Sequence, residues 1–409
     1  MTSSPCRLCG AELTHVFVDL GMSPLSNSYL TLEQLLKMER FYPLRALVCD
    51  KCFLVQLEAY ETPEHIFSDY AYFSSYSSTW LEHAQSYAQM VTKRFGLDRN
   101  SMVVEVASND GYLLQYFADQ GIPVLGIEPA ANVAEAARAR GVATQVEFFG
   151  RDTARRLASD FGADLLIGNN VLAHVPDLND FVAGLKILIK PRGVITLEFP
   201  HLLRLIEETQ FDTIYHEHFS YFSLLTAQHA CEMHGITVFD VEEIPTHGGS
   251  LRVYGRHAAD ETRPVSEQVL ELGRREREAG LQELEAYIGF GERVRQSKRD
   301  TLRLLLDLKN SGKSIVGYGA PAKGNTLLNY CGIRTDFIDY TVDLNPHKQG
   351  YFLPGSHIPI KEPDEIRRTR PDVLFILPWN LKNEIMQQMS CIREWGGKFL
   401  VVNPEPRLL

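Results

Sequence analysis

Val103-Val104-Glu105-Val106-Ala107-Ser108-Asn109-Asp110-Gly111-Tyr112-Leu113-Leu114 is the stretch on which the reading of the fold turns. The apolar residues Met102 to Val106 predict a short strand buried in a parallel sheet, and the small and polar residues after them predict a tight turn feeding a helix. A second apolar run, Pro123 to Ile127, ends in Glu128, 23 residues beyond Glu105. In a doubly wound α/β fold an acid at that place meets ribose hydroxyls. A dinucleotide fingerprint needs glycines that let the backbone approach a pyrophosphate, yet Ala107 and Asn109 stand where the first two would be. The exchange argues for a nucleoside without a pyrophosphate, such as S-adenosylmethionine (SAM). Ala107, Asn109 and Gly111 would then form the turn beneath it, with Glu105 or Asp110 available to its amino group. A ligand-free α/β turn is the plain alternative.

Outward from that turn, strands and helices alternate from residue 102 to about 200, with strands expected near 102–106, 123–127, 142–146, 164–168 and 193–199. This is the pattern of a parallel sheet covered on both faces. Ligands of such sheets sit at the carboxyl ends of the strands. That draws attention to Asn169, Asn170 and His174 after the fourth strand and to Glu198–His201 at the end of the fifth. Upstream, Trp80 to Phe95 reads as an amphipathic helix. Before it, Tyr70, Tyr72, Phe73 and the serines at 74, 75, 77 and 78 would line a polar pocket or form a surface loop. The domain boundary is placed near residue 78.

The N-terminal part carries Cys6-Arg7-Leu8-Cys9 and Cys49-Asp50-Lys51-Cys52, two CxxC pairs with 39 residues between them. Each pair sets two thiolates on one turn, and together they supply the four soft ligands of a structural zinc site with no position left open. Seven cysteines is an odd number, which in a reducing compartment favours thiols and metal ligands over a disulfide framework. With 44% hydrophobic and 23% charged residues the chain has ordinary globular composition. The net charge of −11 opposes nucleic acid and anionic membrane as partners. No apolar run approaches the roughly 20 residues that span a bilayer, and no signal-peptide pattern opens the sequence. A cytoplasmic protein is expected. Its oligomeric state is left open, with a monomer as the default.

Downstream lies the tetrapeptide Tyr215-His216-Glu217-His218. Two histidines flanking a carboxylate offer general bases whose ordinary pKa lies near neutrality, with Glu217 able to orient one of them. A structural network and a metal site are the competing readings, although zincin histidines are a helical turn apart. His247-Gly248-Gly249-Ser250-Leu251-Arg252 joins a histidine and a cation to glycines that allow close backbone approach to a ligand. A hairpin turn would use the same residues. From Ser266 to Leu308 the charged, leucine-bearing sequence predicts one or two long helices. Ile315-Val316-Gly317-Tyr318-Gly319 then starts a second strand-turn-helix, and Asp343 stands 24 residues beyond Gly319. This permits a rival reading, an NAD(P)-dependent oxidoreductase. The glycine spacing is G-x-G-x-x-x-x-G, however, and Lys323 sits inside the turn; Lys323 with Lys348 suits a diphosphate. Trp379 and Asn380 follow the expected strand Val373 to Leu377, where they would meet a sugar or base.

The paired CxxC turns, the EVASNDGYLL turn, the YHEH run and the HGGSLR run, in that order, resemble bacterial SAM-dependent sugar C-methyltransferases, which act on nucleotide-linked 4-keto-deoxysugars. The resemblance continues through Gly317–Gly324, Asp343–Gly350 and Pro354–Pro359. It implies an α/β architecture in three parts: a zinc-binding domain over 1–78, a doubly wound SAM-binding domain over 79–258, and a helical connection with a second Rossmann-like domain over 259–409 that helps hold the sugar nucleotide. By position in the family's motifs, His218 is the expected catalytic base with Glu217 beside it, and His174, Tyr72 and Tyr215 are further active-site positions. The implied reaction is methyl transfer to a carbon, C3, of a 4-keto-6-deoxyhexose linked to dTDP or GDP, through an enolate. A non-catalytic scaffold with vestigial pockets is the third reading.

Overall fold

A computed structural model describes residues 5–60, 74–76 and 78–409. Three strands open the chain: β1 (His15–Ser23), β2 (Tyr42–Val48) and β3 (Val55–Leu57), paired antiparallel. A register irregularity between Val16 and Val18 lets both Phe17 and Val18 turn inward, as a bulge does. The helix expected at Trp80–Phe95 spans Ser78–Phe95.

The central sheet begins with five parallel strands, β4 (Val103–Val106), β5 (Val124–Ile127), β6 (Thr144–Gln145), β7 (Ala163–Asn169) and β8 (Ile189–Pro200). These match the expected positions, with the third shorter and the fifth longer. The chain then leaves the sheet: β9 (Ser220–Tyr221) pairs antiparallel with β3, so the N-terminal sheet borrows a strand from the middle of the sequence. β10 (Ile236–Ile244) and β11 (Ser250–His257) return as a hairpin and close the sheet in the order β10-β11-β8-β7-β4-β5-β6, with β11 antiparallel to both neighbours. β4 lies between β5 and β7, where the strand order reverses, and the crevice at its carboxyl end is the place for a ligand.

The charged stretch after residue 266 forms three helices, Glu267–Glu278, Glu285–Ile288 and Phe290–Asn310. Ser266 caps the first by accepting from the Val269 N–H, and Gly280, at φ 79°, follows its end. Phe290 stacks on Phe17 at 4.4 Å, which fastens the last helix to β1. The third sheet follows, with β12 (Ile315–Tyr318), β13 (Thr341–Val342), β14 (Ile360–Lys361), β15 (Val373–Ile376), β16 (Lys398–Val401) and β17 (Arg407–Leu408). Its order is β14-β13-β12-β15-β16-β17, parallel except for the edge strand β17, and β12 is a second reversal point. Among the described residues no helix is long and apolar enough to cross a membrane.

Candidate active site

A cavity of about 560 Å³ lies where the three parts meet, and all three line it: Asn27 from the first, the carboxyl ends of β4, β5 and β7 from the second, Pro321–Lys323, Lys348 and Asn380 from the third.

One wall is the turn after β4. Ala107 and Asn109 adopt φ 55° and 49°, and Gly111 adopts 77°. The left-handed backbone of a glycine-rich turn is therefore kept although two of the glycines are replaced. Asparagine is among the few non-glycine residues that enter this region readily, and here its side chain is anchored at long range: Oδ1 accepts from the Ser74 N–H at 2.9 Å. The Glu128 carboxylate braces the turn, accepting from the N–H groups of Asn109 at 3.0 Å and Ala130 at 2.9 Å. Burial pushes its pKa up, and these two N–H groups act against that. Ala107, Asn109, Glu128 and Asn169 all line the cavity. Asn169 Oδ1 is buried there with no hydrogen-bond partner among the described residues, the condition expected where a polar ligand group completes the set.

Glu105, Asp110 and Gly111 do not line the cavity. Glu105 is buried at the base of the turn, where desolvation holds its carboxyl well above the usual range. Asp110 is taken by Ser75 and by Arg140, 2.9 Å away, so it fastens the segment before the first helix. Gly111 sits over Val142, and a Cβ there would come within 3.0 Å of that side chain. Conversely, Phe148 and Phe149, just past β6, line the cavity beside Glu128 and were not singled out from the sequence. Their place at a strand's carboxyl end was the available signal.

The opposite wall holds the histidines. His218 Nδ1 is 3.1 Å from the Thr213 carbonyl oxygen. A carbonyl only accepts, so Nδ1 carries the proton and Nε2 keeps its lone pair. Burial, with neighbouring His174 adding to it, holds the His218 pKa well below the ordinary imidazole value. The Tyr215 ring lies 4.0 Å and the His174 ring 4.7 Å from the His218 ring, centroid to centroid, and all three line the cavity. His174 is lowered to about 4 by burial and bonds to the Glu217 main chain. The Glu217 carboxylate faces Asn27, whose Nδ2 donates to it at 2.7 Å; it is Thr213, rather than Glu217, that orients His218. His216 points away and reaches the Pro43 carbonyl. Tyr72 lies outside the described residues.

The third wall carries the cations. Lys323 Nζ donates to Asn380 Oδ1 at 2.9 Å and lies 4.8 Å from the Trp379 ring centre. Burial lowers it to about 8, with Asp212 opposing. Lys348 and Asn380 also line the cavity. Trp379 does not; its indole N–H is held by Asp212 at 2.6 Å. His247, at φ 55°, lines the cavity and is lowered to about 4 by burial. The next residue, Gly248, explains the glycine pair: at φ 96°, any Cβ would come within 2.3 Å of the Trp379 ring. Arg252 is outside the lining. It pairs with Glu198 at 3.0 Å and Glu242 at 2.9 Å and covers the Tyr87 ring, a cross-sheet network in place of the expected substrate contact.

Away from the cavity, the Sγ atoms of Cys6, Cys9, Cys49 and Cys52 all lie within 4.8 Å of one another, with Cys6–Cys52 and Cys9–Cys49 at 3.5 Å. A tetrahedral Zn–S₄ centre with bonds of about 2.3 Å needs sulfurs about 3.8 Å apart, so the four thiolates fit zinc as a closed, structural ion.

A seven-stranded sheet with an antiparallel penultimate strand, an acid at the end of β5 and a left-handed turn at the reversal point define a SAM-dependent methyltransferase. Family profiles agree along the chain: a zinc binding domain over residues 6–67, a methyltransferase domain over 80–241 and a C-methyltransferase C-terminal domain over 245–404. The chain is 37% identical to C-methyltransferase NovU of Streptomyces niveus over 410 residues, which is 99% of this chain and 96% of that protein. It belongs to that C-methyltransferase family. Among solved structures, the PH0226 protein of Pyrococcus horikoshii matches 49% of this chain and 100% of its own at 15% identity, with a TM-score of 0.38. The magnesium protoporphyrin IX methyltransferase ChlM of Synechocystis, with bound SAM, matches 43% of this chain and 80% of its own at 13% identity, with a TM-score of 0.33.

Proposed function

We propose that the protein transfers a methyl group to C3 of a nucleoside-diphosphate 4-keto-6-deoxyhexose, linked to dTDP or GDP, in the cytoplasm, with His218 as the base. The observation that carries this reading is that a histidine with its Nε2 lone pair left free shares one cavity with the cofactor turn. SAM supplies an electrophilic methyl group when bound, with Asn109, Glu128 and Asn169 holding it. The protein's own task is then to make the acceptor carbon a nucleophile. A C–H bond beside a ketone is acidic enough for a positioned imidazole, provided a donor faces the enolate oxygen. Burial keeps His218 unprotonated at neutral pH, ready to accept that proton. His174 is neutral for the same reason, and its bond to the Glu217 main chain occupies its one N–H. We assign the donor that faces the C4 oxygen to a tyrosine hydroxyl, that of Tyr215 or Tyr72. Lys323 and Lys348 supply positive charge for the diphosphate, and Asn380 and His247 complete that end of the cavity.

Replacing His218→Asn retains a side-chain donor for the Thr213 carbonyl but removes the base. Turnover should fall by about 10³-fold, within the range for general-base loss, while SAM affinity by calorimetry stays at the wild-type value. Turnover is read by mass spectrometry as transfer of a deuterated methyl group onto a panel of dTDP- and GDP-linked 4-keto-6-deoxyhexoses. Near-normal turnover would remove His218 as the base, and a label found on oxygen or nitrogen would remove the carbanion chemistry.

A further inference from the structure

The segment carrying His218 is tied to the zinc-binding part at almost every residue. His216 reaches the Pro43 carbonyl, Asn27 holds the Glu217 carboxylate, and β9 pairs with β3 directly after Phe219. The most connected of these ties is Arg7, which lies between the first two zinc-site cysteines. Its Nη1 donates to the Phe219 carbonyl and, at 3.3 Å, to Ser220 Oγ; its Nη2 donates to the Leu57 carbonyl at 2.9 Å. The guanidinium also sits 5.4 Å from the centre of the Phe219 ring.

The other end of Arg7 is fixed by the knuckle. Its N–H donates to Gln56 Oε1 at 3.0 Å, and Gln56 Nε2 donates to Cys6 Sγ at 3.1 Å. Its carbonyl accepts from Asn179 of the central domain at 3.0 Å. A planar fork aimed at two carbonyls is a geometric constraint that an ammonium cannot reproduce. Both carbonyls belong to the β3–β9 seam, and one belongs to the residue after His218.

We propose that Arg7 is a positioning residue for His218: the zinc turn aims the guanidinium, and the guanidinium fixes the Phe219 peptide and with it the imidazole against Thr213. The zinc site is thereby coupled to the reaction without touching substrate. This inference rests on the reading of His218 as the base.

The test compares Arg7→Gln, Arg7→Lys and His218→Asn in the full-length zinc-loaded enzyme, using the best acceptor from the dTDP- and GDP-sugar panel. Arg7→Gln should lower kcat at least 10-fold with zinc at one equivalent, SAM affinity within twofold of wild type and KM little changed; Arg7→Lys should restore part of the loss. The acid limb of the kcat–pH profile should move to higher pH, because a loosened His218 gains water and its pKa climbs back toward the ordinary value. A purely structural loss would scale the rate without moving that limb. If Arg7→Gln binds no SAM, and so is misfolded, the same readouts on Arg7→Lys decide. Wild-type kcat in the folded variant, or a reduced kcat with an unmoved acid limb, overturns the proposal. Turnover surviving in His218→Asn overturns the base assignment and this inference together; turnover lost there but intact in the Arg7 variants overturns this inference alone.

Discussion

Glu128 and Asp343 end the second strands of two sheets built alike, and they do the same work there. Glu128 accepts from the N–H of Asn109, in the first turn, and from that of Ala130, two residues after itself. Asp343 accepts from the N–H of Ala320, in the corresponding turn, at 2.7 Å, and from that of Asn345, again two residues on, at 2.8 Å. What differs is what sits on each turn. After β4, Ala107 and Asn109 of the turn itself line the cavity. After β12 the cavity is reached only from Pro321 onward; Tyr29 donates to the Ala320 carbonyl at 2.7 Å, and Lys348 Nζ reaches the same oxygen at 3.0 Å while lying 5.4 Å from the centre of the Tyr29 ring. The frame is repeated, but in the second copy side chains from the N-terminal part and the following loop sit on the turn. That is the place the oxidoreductase reading reserved for a dinucleotide. On the proposed reading, what is seated over a turn decides as much as glycine spacing does whether a nucleoside binds there.

The sharpest way to separate the two frames is at the acids themselves. Glu128→Gln leaves one carbonyl oxygen for two backbone N–H groups and removes the charge that faces the cavity. SAM affinity should fall roughly 10- to 100-fold, on the scale of about 1.5–3 kcal/mol for hydrogen bonds to a charged group. Calorimetry with SAM or its demethylated product measures it, and an unchanged Kd would mean that the cofactor does not lie over this turn.

Next in size is the cation that the second domain adds to the shared cavity. Lys323→Met should raise KM for the nucleotide sugar about 10-fold and leave SAM affinity alone, the loss of one charge-assisted contact to a diphosphate. The same lysine sets a pH dependence. Its pKa is lowered to about 8, so the charged form predominates below that pH and is lost above it. KM in the wild type should therefore climb as pH passes about 8, and the Met variant should lack that climb. A KM that is flat in both would place the diphosphate elsewhere.

How far the sequence carried these assignments depends on the range of the contacts involved. The β4 turn, Glu128 and the paired cysteines were legible because each is a short motif whose spacing is its geometry. His218 was legible as a candidate base, but the group that sets its tautomer, the Thr213 carbonyl, is main chain and has no sequence signature. Arg252, Trp379 and Asp110 show the opposite difficulty. A cation beside paired glycines, an aromatic at a strand end and an acid in the β4 turn all pointed toward a ligand, yet Glu198, Asp212 and Arg140 are already their partners. One sequence does not distinguish a charge aimed at a ligand from one paired across a sheet. Asn27 and Trp80 line the cavity from parts of the chain far from any motif, brought there by the β3–β9 seam and the first helix. The helical stretch after 266 was expected as one or two helices and forms three: Gly280, at φ 79°, follows the end of the first, and the single residue Gly289 separates the other two.

The smallest effect is expected at Asp343, and it tests whether the second frame is only a frame. Asp343→Asn keeps one acceptor oxygen for the Ala320 and Asn345 N–H groups and weakens the contact with Lys348, which lies 3.8 Å from the carboxylate. The cost should be about 1–2 kcal/mol of stability, the worth of a hydrogen bond to a charged group less what the amide retains. SAM affinity should not change. Thermal shift supplies the decisive reading: NAD(H) should stabilise neither the wild type nor the variant, because Tyr29 and Lys348 sit on the turn in both, whereas the demethylated cofactor should stabilise both equally. A shift with NAD(H) in the wild type that disappears in Asp343→Asn would show that the acid binds ribose, and the two reversal points would then be two nucleotide sites rather than one site and its brace.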